Sequence, residues 1–217
     1  MSINKKKIYL FGFNSEQIKI IKNRNKNTEF INENKITNKI NLCHAIIAPN
    51  RNSIETALEK VEFKKNNKLE WIHLPGSGVE KYSRYFKYKK INFTNGKGIQ
   101  NHQISDHAIG LLLCLTRKIN FNIKYDQNVK FDKRPIELNQ KKVVIVGYGG
   151  NGKMIADKLL AFNMNVSVVN DTKKKTPRGV KFYLTKKIKK AVKDNDVIII
   201  STPLTKFTKG LINKDIL

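Results

Sequence analysis

Short runs of β-favouring apolar residues alternate along this chain with segments whose apolar positions recur every three or four residues. In the first half the runs are "KIYLFGF" (7–13), "TEFI" (28–31), "AIIAP" (45–49), "EWIHL" (70–74) and "INFTN" (91–95). Between them, "SEQIKIIKNR" has helical periodicity with Ser15 as its expected cap, and "NSIETALEKVEF" sets Ile54, Leu58 and Val61 at helical spacing. A further helix is expected at 78–88. Strands that alternate with helices are joined by crossovers, and crossovers build parallel sheets with covered faces.

The segment Gln103 to Asn120, "QISDHAIGLLLCLTRKIN", reads as one long helix. It is apolar over most of its circumference, which predicts a mostly buried helix, with Ser105 and Asp106 in its first turn. Residues 121–140 are polar, contain Pro135, and read as a connecting segment. A second alternation starts at Lys141: strand "VVIVG", helix 150–162, strand "NVSVV", a basic loop, strand "KFYL", helix 185–193 and strand "DVIIIS". The expected class is α/β with two doubly wound parallel-sheet domains. Residues 1–100 form the first, 101–140 a joining helix and connecting segment, and 141–217 the second.

Composition changes this picture little. The formal charge of +26 invites a nucleic-acid or membrane reading, but only six of the 43 basic residues are Arg. Base readout and phosphate forks favour Arg, and these lysines are spread along the whole chain, so no specific nucleic-acid partner is expected. Cys43 and Cys114 both sit in apolar runs, which reads as two buried thiols in a reducing cytoplasm. The N-terminal apolar run is too short for a signal peptide, and "AIGLLLCL" is too short to span a bilayer. No membrane partner is expected, and no Cys/His cluster has metal-ligand spacing.

The chemistry is concentrated in "KKVVIVGYGGNGKMIADKLLAFNMNVSVVND", residues 141–171. An apolar strand runs into Gly147-Tyr148-Gly149-Gly150-Asn151-Gly152, a G-x-G-x-x-G pattern that then opens a helix. Gly147 permits the tight turn out of the strand, and Gly149 lets backbone approach a pyrophosphate. Gly152 lets helix and strand pack closely, while the helix N-terminus supplies amides and a positive dipole. Alone the pattern is weak; between a strand and a helix, with a second strand about 20 residues on, it is specific for a dinucleotide. That second strand ends in "VVNDTKKK". Asp171 can accept from a ribose 2′-hydroxyl and favours NAD. A contact on Asn170 discriminates less, and Lys173 to Lys175 can attract the 2′-phosphate of NADP.

Together these segments resemble the D-isomer-specific 2-hydroxyacid dehydrogenases, the family of phosphoglycerate dehydrogenase and glyoxylate/hydroxypyruvate reductase. "EWIHLPGSGVEKY" is similar to a substrate-domain loop in which Ser77, Gly78 and Val79 present amides to a substrate carboxylate. "INFTNGKGIQNHQISDHAIGLLLCLTRKI" resembles the interdomain segment, with Asp106 in its acidic slot, and "GYGGNGKMIADKLLAFNMNV" the nucleotide fingerprint. "DVIIISTPLTKFTKGLINKDIL" resembles the strand and loop beside the nicotinamide, with Thr202, Pro203 and Thr208 in place. The resemblance implies a flavodoxin-like substrate domain, a Rossmann domain, NAD or NADP as cofactor, a 2-hydroxy or 2-oxo acid substrate, and a homodimer.

Departures from the family pattern are as informative. Asn151 replaces an aliphatic residue, Asn163 replaces a glycine, and the usual acidic ribose contact falls on Asn170 with Asp171 one place later. The family's catalytic Arg, acidic residue and His map to none of these 217 residues and are expected beyond Leu217, leaving the Rossmann domain incomplete and the chain inactive alone. The alternative is a dinucleotide-binding module without catalysis. Locally, His102 and Asp106 stand four apart and could pair, whereas His44, His73 and His107 read as satisfied, partly buried imidazoles.

Overall fold

The first five strand runs pair side by side in one all-parallel sheet. In this computed structural model, which describes residues 5–119, 121 and 134–217, they are β1 (Lys7–Phe11), β2 (Glu29–Glu33), β3 (Ala45–Ile47), β4 (Trp71–Leu74) and β5 (Asn92–Asn95). Their spatial order is β2-β1-β3-β4-β5. Helices α1 (Ser15–Arg24) and α2 (Arg51–Glu59) are two of the connections. Tyr9, Ile46, Ile72 and Leu74 project from the sheet into a core closed by Ile54 and Leu58 of α2.

Two local expectations are corrected here. The cap of α1 is Asn14, one residue before Ser15: its Oδ1 accepts from the Gln17 amide at 2.8 Å, and Gln17 Oε1 accepts from the Asn14 amide at 3.0 Å. That reciprocal box satisfies two otherwise unpaired donors, which Ser15 one place later would not do. Over 78–88, only a 3-10 turn forms, Glu80–Tyr85. Its bonds close three-residue turns, the Tyr82 amide donating to Val79 O at 2.9 Å and the Phe86 amide to Ser83 O at 3.1 Å, and no side chain caps its start, so the segment stays short. The neighbouring aromatics instead stack on Phe63, with Tyr85 at 5.1 Å and Tyr88 at 4.6 Å between ring centroids.

The chain divides into two units, Met1–Ile99 and Gln100–Leu217. The second has its own parallel sheet of β6 (Lys142–Val146), β7 (Asn165–Asn170), β8 (Lys181–Leu184) and β9 (Val197–Ile200), in the order β8-β7-β6-β9. Its helices are α3 (Asn101–Thr116), α4 (Gly150–Ala161) and the short α5 (Ile188–Val192). β6 is buried on both faces, which is why it carries unbroken valine and isoleucine. Val143 and Ile145 pack with Ile109 and Leu112 of α3 and Ile155 and Leu159 of α4, while Val144 and Val146 pack with Ile188 and Val192 of α5. After α4 the chain turns at Asn163, φ +55°, whose amide donates to the Leu160 carbonyl. Asn tolerates this left-handed conformation better than most side chains. The connecting segment expected at 121–140 lies largely outside the described residues.

Helix α3 departs from expectation. It starts two residues early, so Ser105 sits in the second turn and donates to the His102 carbonyl at 2.7 Å. It is not mostly buried: Ile109 and Leu112 face the core, but Leu111 is 53% and Leu115 67% exposed. One helix packed against one neighbour buries one stripe, however apolar the rest. Cys114 on the same helix is only half-buried, whereas Cys43 is fully buried and its thiol is pushed up to about 11 by desolvation. Thiolate is the reactive form. Iodoacetamide at pH 8 is therefore expected to label Cys114 and spare Cys43 in the folded chain, as peptide mass mapping will read directly. Among the described residues, no helix is long and apolar enough to cross a membrane.

Candidate functional site

β7 and β9 flank β6 on opposite sides, so the connections after β6 and before β9 leave the sheet in different directions. In open parallel sheets, ligands bind at the carboxyl ends of the strands at such a switch point. Gly147 stands there. Its φ of +102° is left-handed, and an added Cβ would lie 2.5 Å from the Ser201 carbonyl oxygen. The Gly147 amide donates to Val169 O at 2.8 Å, and the Ser201 amide donates to Val146 O at 2.7 Å, so the loop is fastened to both neighbouring strands.

The other glycines divide by what surrounds them. A Cβ on Gly152 would lie 2.1 Å from Gly147 O, so α4 packs directly on the strand exit. A Cβ on Gly150 would meet the Asn101 carboxamide at 2.3 Å. Gly149 caps α4 with an extended backbone, and a Cβ there would meet nothing within 4 Å. The first amides of α4 have no intrahelical acceptor and point out at the positive end of the helix dipole. A tight turn, a close helix and open space over one glycine are what a bound pyrophosphate needs, and the residues fit a dinucleotide.

Tyr148 is buried, which raises its phenol above the ordinary value, and its amide donates to Asn170 Oδ1 at 3.2 Å. Asn170 is thereby tied to the glycine loop, and its Nδ2 donates to Asp171 Oδ1 at 2.9 Å and to Thr172 O at 3.0 Å. Asp171 is exposed, with Oδ1 also accepting from the Thr172 amide at 2.8 Å. Asn151 is half-buried, and its Oδ1 is buried without a hydrogen-bond partner. Beyond β9, Thr202 N lies 2.9 Å from where a Gly147 Cβ would stand. Thr208 Oγ1 accepts from the Thr205 amide at 2.8 Å and donates to Pro203 O, which fastens that loop on itself. The structure thus brings the 147–152 loop, Asn170 and Thr202 together, with Asp171 adjoining Asn170 and Pro203 and Thr208 along the same loop as Thr202. Asn101 was not legible from spacing, because only the fold carries the start of α3 to Gly150.

Ser77, Gly78 and Val79 belong to the first unit, in the loop after β4. Gly76 turns that loop at φ +81°, the Gly96 amide donates to Gly76 O at 3.0 Å, and Asn95 Nδ2 donates to Ser77 O at 3.3 Å. Arg51 Nη2 lies 2.9 Å from where a Gly78 Cβ would stand.

The histidines offer no acid–base pair among the described residues. His102 is exposed, and Asp106 engages Lys158 instead of it. His107 is exposed too, not partly buried as expected. His44 Nδ1 accepts from the Lys7 amide at 3.1 Å. His73 Nδ1 lies 3.0 Å from Thr94 Oγ1, and burial lowers its pKa.

Residues 109–217 match the family described as D-isomer specific 2-hydroxyacid dehydrogenase, NAD binding domain. The chain belongs to that family. Members similar to it include hydroxypyruvate reductase of Thermotoga maritima, 26% identical over 169 residues, which cover 76% of this chain and 54% of the relative. Glyoxylate reductase of Pyrococcus furiosus is 28% identical over 58% of this chain and 40% of its own length. The chain therefore spans about half or less of these dehydrogenase relatives. In fold, a D-isomer specific 2-hydroxyacid dehydrogenase family protein from Aeromonas salmonicida superposes at a TM-score of 0.79 with 21% identity, covering 94% of this chain and 66% of that one. D-lactate dehydrogenase from Aquifex aeolicus superposes at 0.72, again with 21% identity, covering 96% of this chain and 64% of that one. The second unit is thus the NAD-binding domain of a 2-hydroxyacid dehydrogenase.

Proposed function

We propose that this chain carries the dinucleotide site and the substrate-domain loop of an enzyme that moves a hydride between nicotinamide C4 and C2 of a small 2-hydroxy or 2-oxo acid. The observation that carries the reading is the open space over Gly149, held between two glycines whose side-chain positions are filled by backbone. When bound, the nicotinamide supplies or accepts the hydride. Gly149, Gly150, Asn151 and Gly152 offer the pyrophosphate amides at the helix N-terminus. Tyr148 holds the loop to Asn170, and Thr202, Pro203 and Thr208 line the nicotinamide side. In the first unit, the backbone of Ser77, Gly78 and Val79 receives the substrate carboxylate.

Asn170 is occupied by Tyr148 and Thr172, so Asp171, whose Oδ2 makes no hydrogen bond, is the ribose contact. That favours NAD. Hydrogen bonds to charged groups are worth about 1.5–3 kcal/mol. Asp171→Asn is expected to weaken NADH binding about tenfold or more while sparing NADPH, read by parallel titrations. Equal loss for both cofactors removes Asp171 from that role.

Reduction of a 2-oxo acid also needs a proton donor and a cation for the carboxylate. The described residues hold no His–carboxylate pair, and the matched segments cover only 54% and 40% of these relatives. We assign the Arg, acidic residue and His to segments outside these 217 residues. The expected outcome is NADH binding without steady turnover of glyoxylate or hydroxypyruvate by the 217-residue chain. Continuous NADH oxidation with either acid contradicts the assignment. NADH binding with no turnover in any longer form of the protein favours the non-catalytic module instead.

The exposed stripe of α3 supports the homodimer. Ile104, Leu111 and Leu115 lie along one face, and Asn101–Thr116 contains no Lys or Arg although the chain has 43. A second copy can pack there without like-charge repulsion. Leu115→Lys is expected to halve the mass seen by light scattering. The free cysteines support a reducing compartment, the cytoplasm.

A further inference from the structure

The starts of α3 and α4 lie side by side. A Cβ on Gly150, in the first turn of α4, would stand 2.3 Å from Nδ2 and 3.1 Å from Cγ of Asn101, in the first turn of α3. Further along, Asp106 of α3 pairs with Lys158 of α4, and Ile109 and Leu112 pack with Ile155 and Leu159. The two helices therefore run parallel with their amino ends together. Neither start is capped by a side chain, since Gln100 and Gly149 give their helices no such hydrogen bond. An amino end carries roughly half an elementary charge, so the pair presents about one positive charge at one place. An anion there offsets the repulsion between the parallel dipoles.

The Asn101 side chain adds a donor to that place. It is half-buried, and its carboxamide makes no hydrogen bond among the described residues. Across from it is the first turn of α4, whose amides also donate and have no intrahelical acceptor. A group of donors without an acceptor is completed by an oxyanion. Glycine at 149 and 150 leaves α4 no side chain to meet one, and Asn101 reaches across to the position that a Gly150 side chain would fill. The family match begins at residue 109, so it does not include Asn101. We propose that Asn101 is a further cofactor-binding residue, its Nδ2 donating to a pyrophosphate oxygen of the dinucleotide from the side of α3. The proposal rests on the dinucleotide reading above and adds to it a ligand from outside the glycine loop.

The test is calorimetric titration of NADH into the 217-residue chain and two variants. Asn101→Ala removes the donor and is expected to weaken binding about tenfold or more, the loss of one hydrogen bond to a charged group. Asn101→Asp keeps the shape but sets a carboxylate against the pyrophosphate. It is expected to weaken binding further than Asn101→Ala, by a margin that shrinks as salt is raised. A packing role gives the opposite order, with the isosteric Asp close to wild type and Ala the worst. Both variants are expected to fold, because alanine suits a helix and an acidic residue suits its first turn. Wild-type affinity in either variant overturns the proposal and leaves the glycine-loop reading standing. A folded wild-type chain that binds no NADH overturns both.

Discussion

A Gly149→Val chain is expected to melt close to the wild type and to bind no detectable NADH. The two halves of that expectation have separate causes. A side chain at Gly149 meets no protein atom within 4 Å, and the backbone there, φ −87° and ψ −158°, is extended and suits valine. Losing glycine as an N-cap costs about 1 kcal/mol or less, roughly 2–4 °C in a chain of this size. The binding loss is larger because the valine methyls fill the space where backbone must reach the pyrophosphate. Each charge-assisted hydrogen bond lost is worth about 1.5–3 kcal/mol, so losing two lowers affinity more than about a hundredfold. Isothermal titration and differential scanning calorimetry on the same preparation separate the two effects. Unchanged NADH affinity in a folded Gly149→Val chain would remove the loop from cofactor binding.

Gly147→Ala is expected to do the reverse, striking stability first. The new methyl would lie 2.5 Å from Ser201 O and 2.9 Å from Thr202 N, both backbone, at a φ of +102°. The left-handed backbone costs an L-residue about 1–2 kcal/mol, and overpacking against atoms that cannot rotate away costs about 1–3 kcal/mol more. Against a total stability of about 5–15 kcal/mol, a loss of about 2–5 kcal/mol lowers Tm by roughly 5–20 °C. The clash also pushes on the junction of β6 and β9 that the Ser201–Val146 hydrogen bond closes. Thermal unfolding at matched concentration reads it, and a Tm within a degree of wild type contradicts the packing described here.

What the sequence made legible follows from which signals are local. β6 was readable because a strand buried on both faces must be apolar at every position, and "VVIV" is. The glycine loop was readable because left-handed turns and backbone contact at Gly147 and Gly152 leave few alternatives to glycine. Asn163 was readable for the same conformational reason. Other features depend on partners far away in sequence. The exposed face of α3 has the same composition as its buried face, and only packing decides which leucine meets solvent. Asp106 could be paired on paper with His102; the fold supplies Lys158, 52 residues later, as its partner. Asn170 and Asp171 are adjacent candidates for the ribose contact in the sequence, and spacing alone does not show that Asn170 Oδ1 accepts from the Tyr148 amide. The helix expected at 78–88 shortens to a 3-10 turn at 80–85, whose start has no side-chain cap.

The most direct test of the central claim is hydrogen–deuterium exchange of the 217-residue chain with and without NADH. The expected result is slowed exchange at the amides of 147–152, at 170–172 and along 202–208, with the first unit's sheet unchanged. Protection absent from 147–152, or confined to residues elsewhere in the chain, would contradict the assignment of this loop as the dinucleotide site.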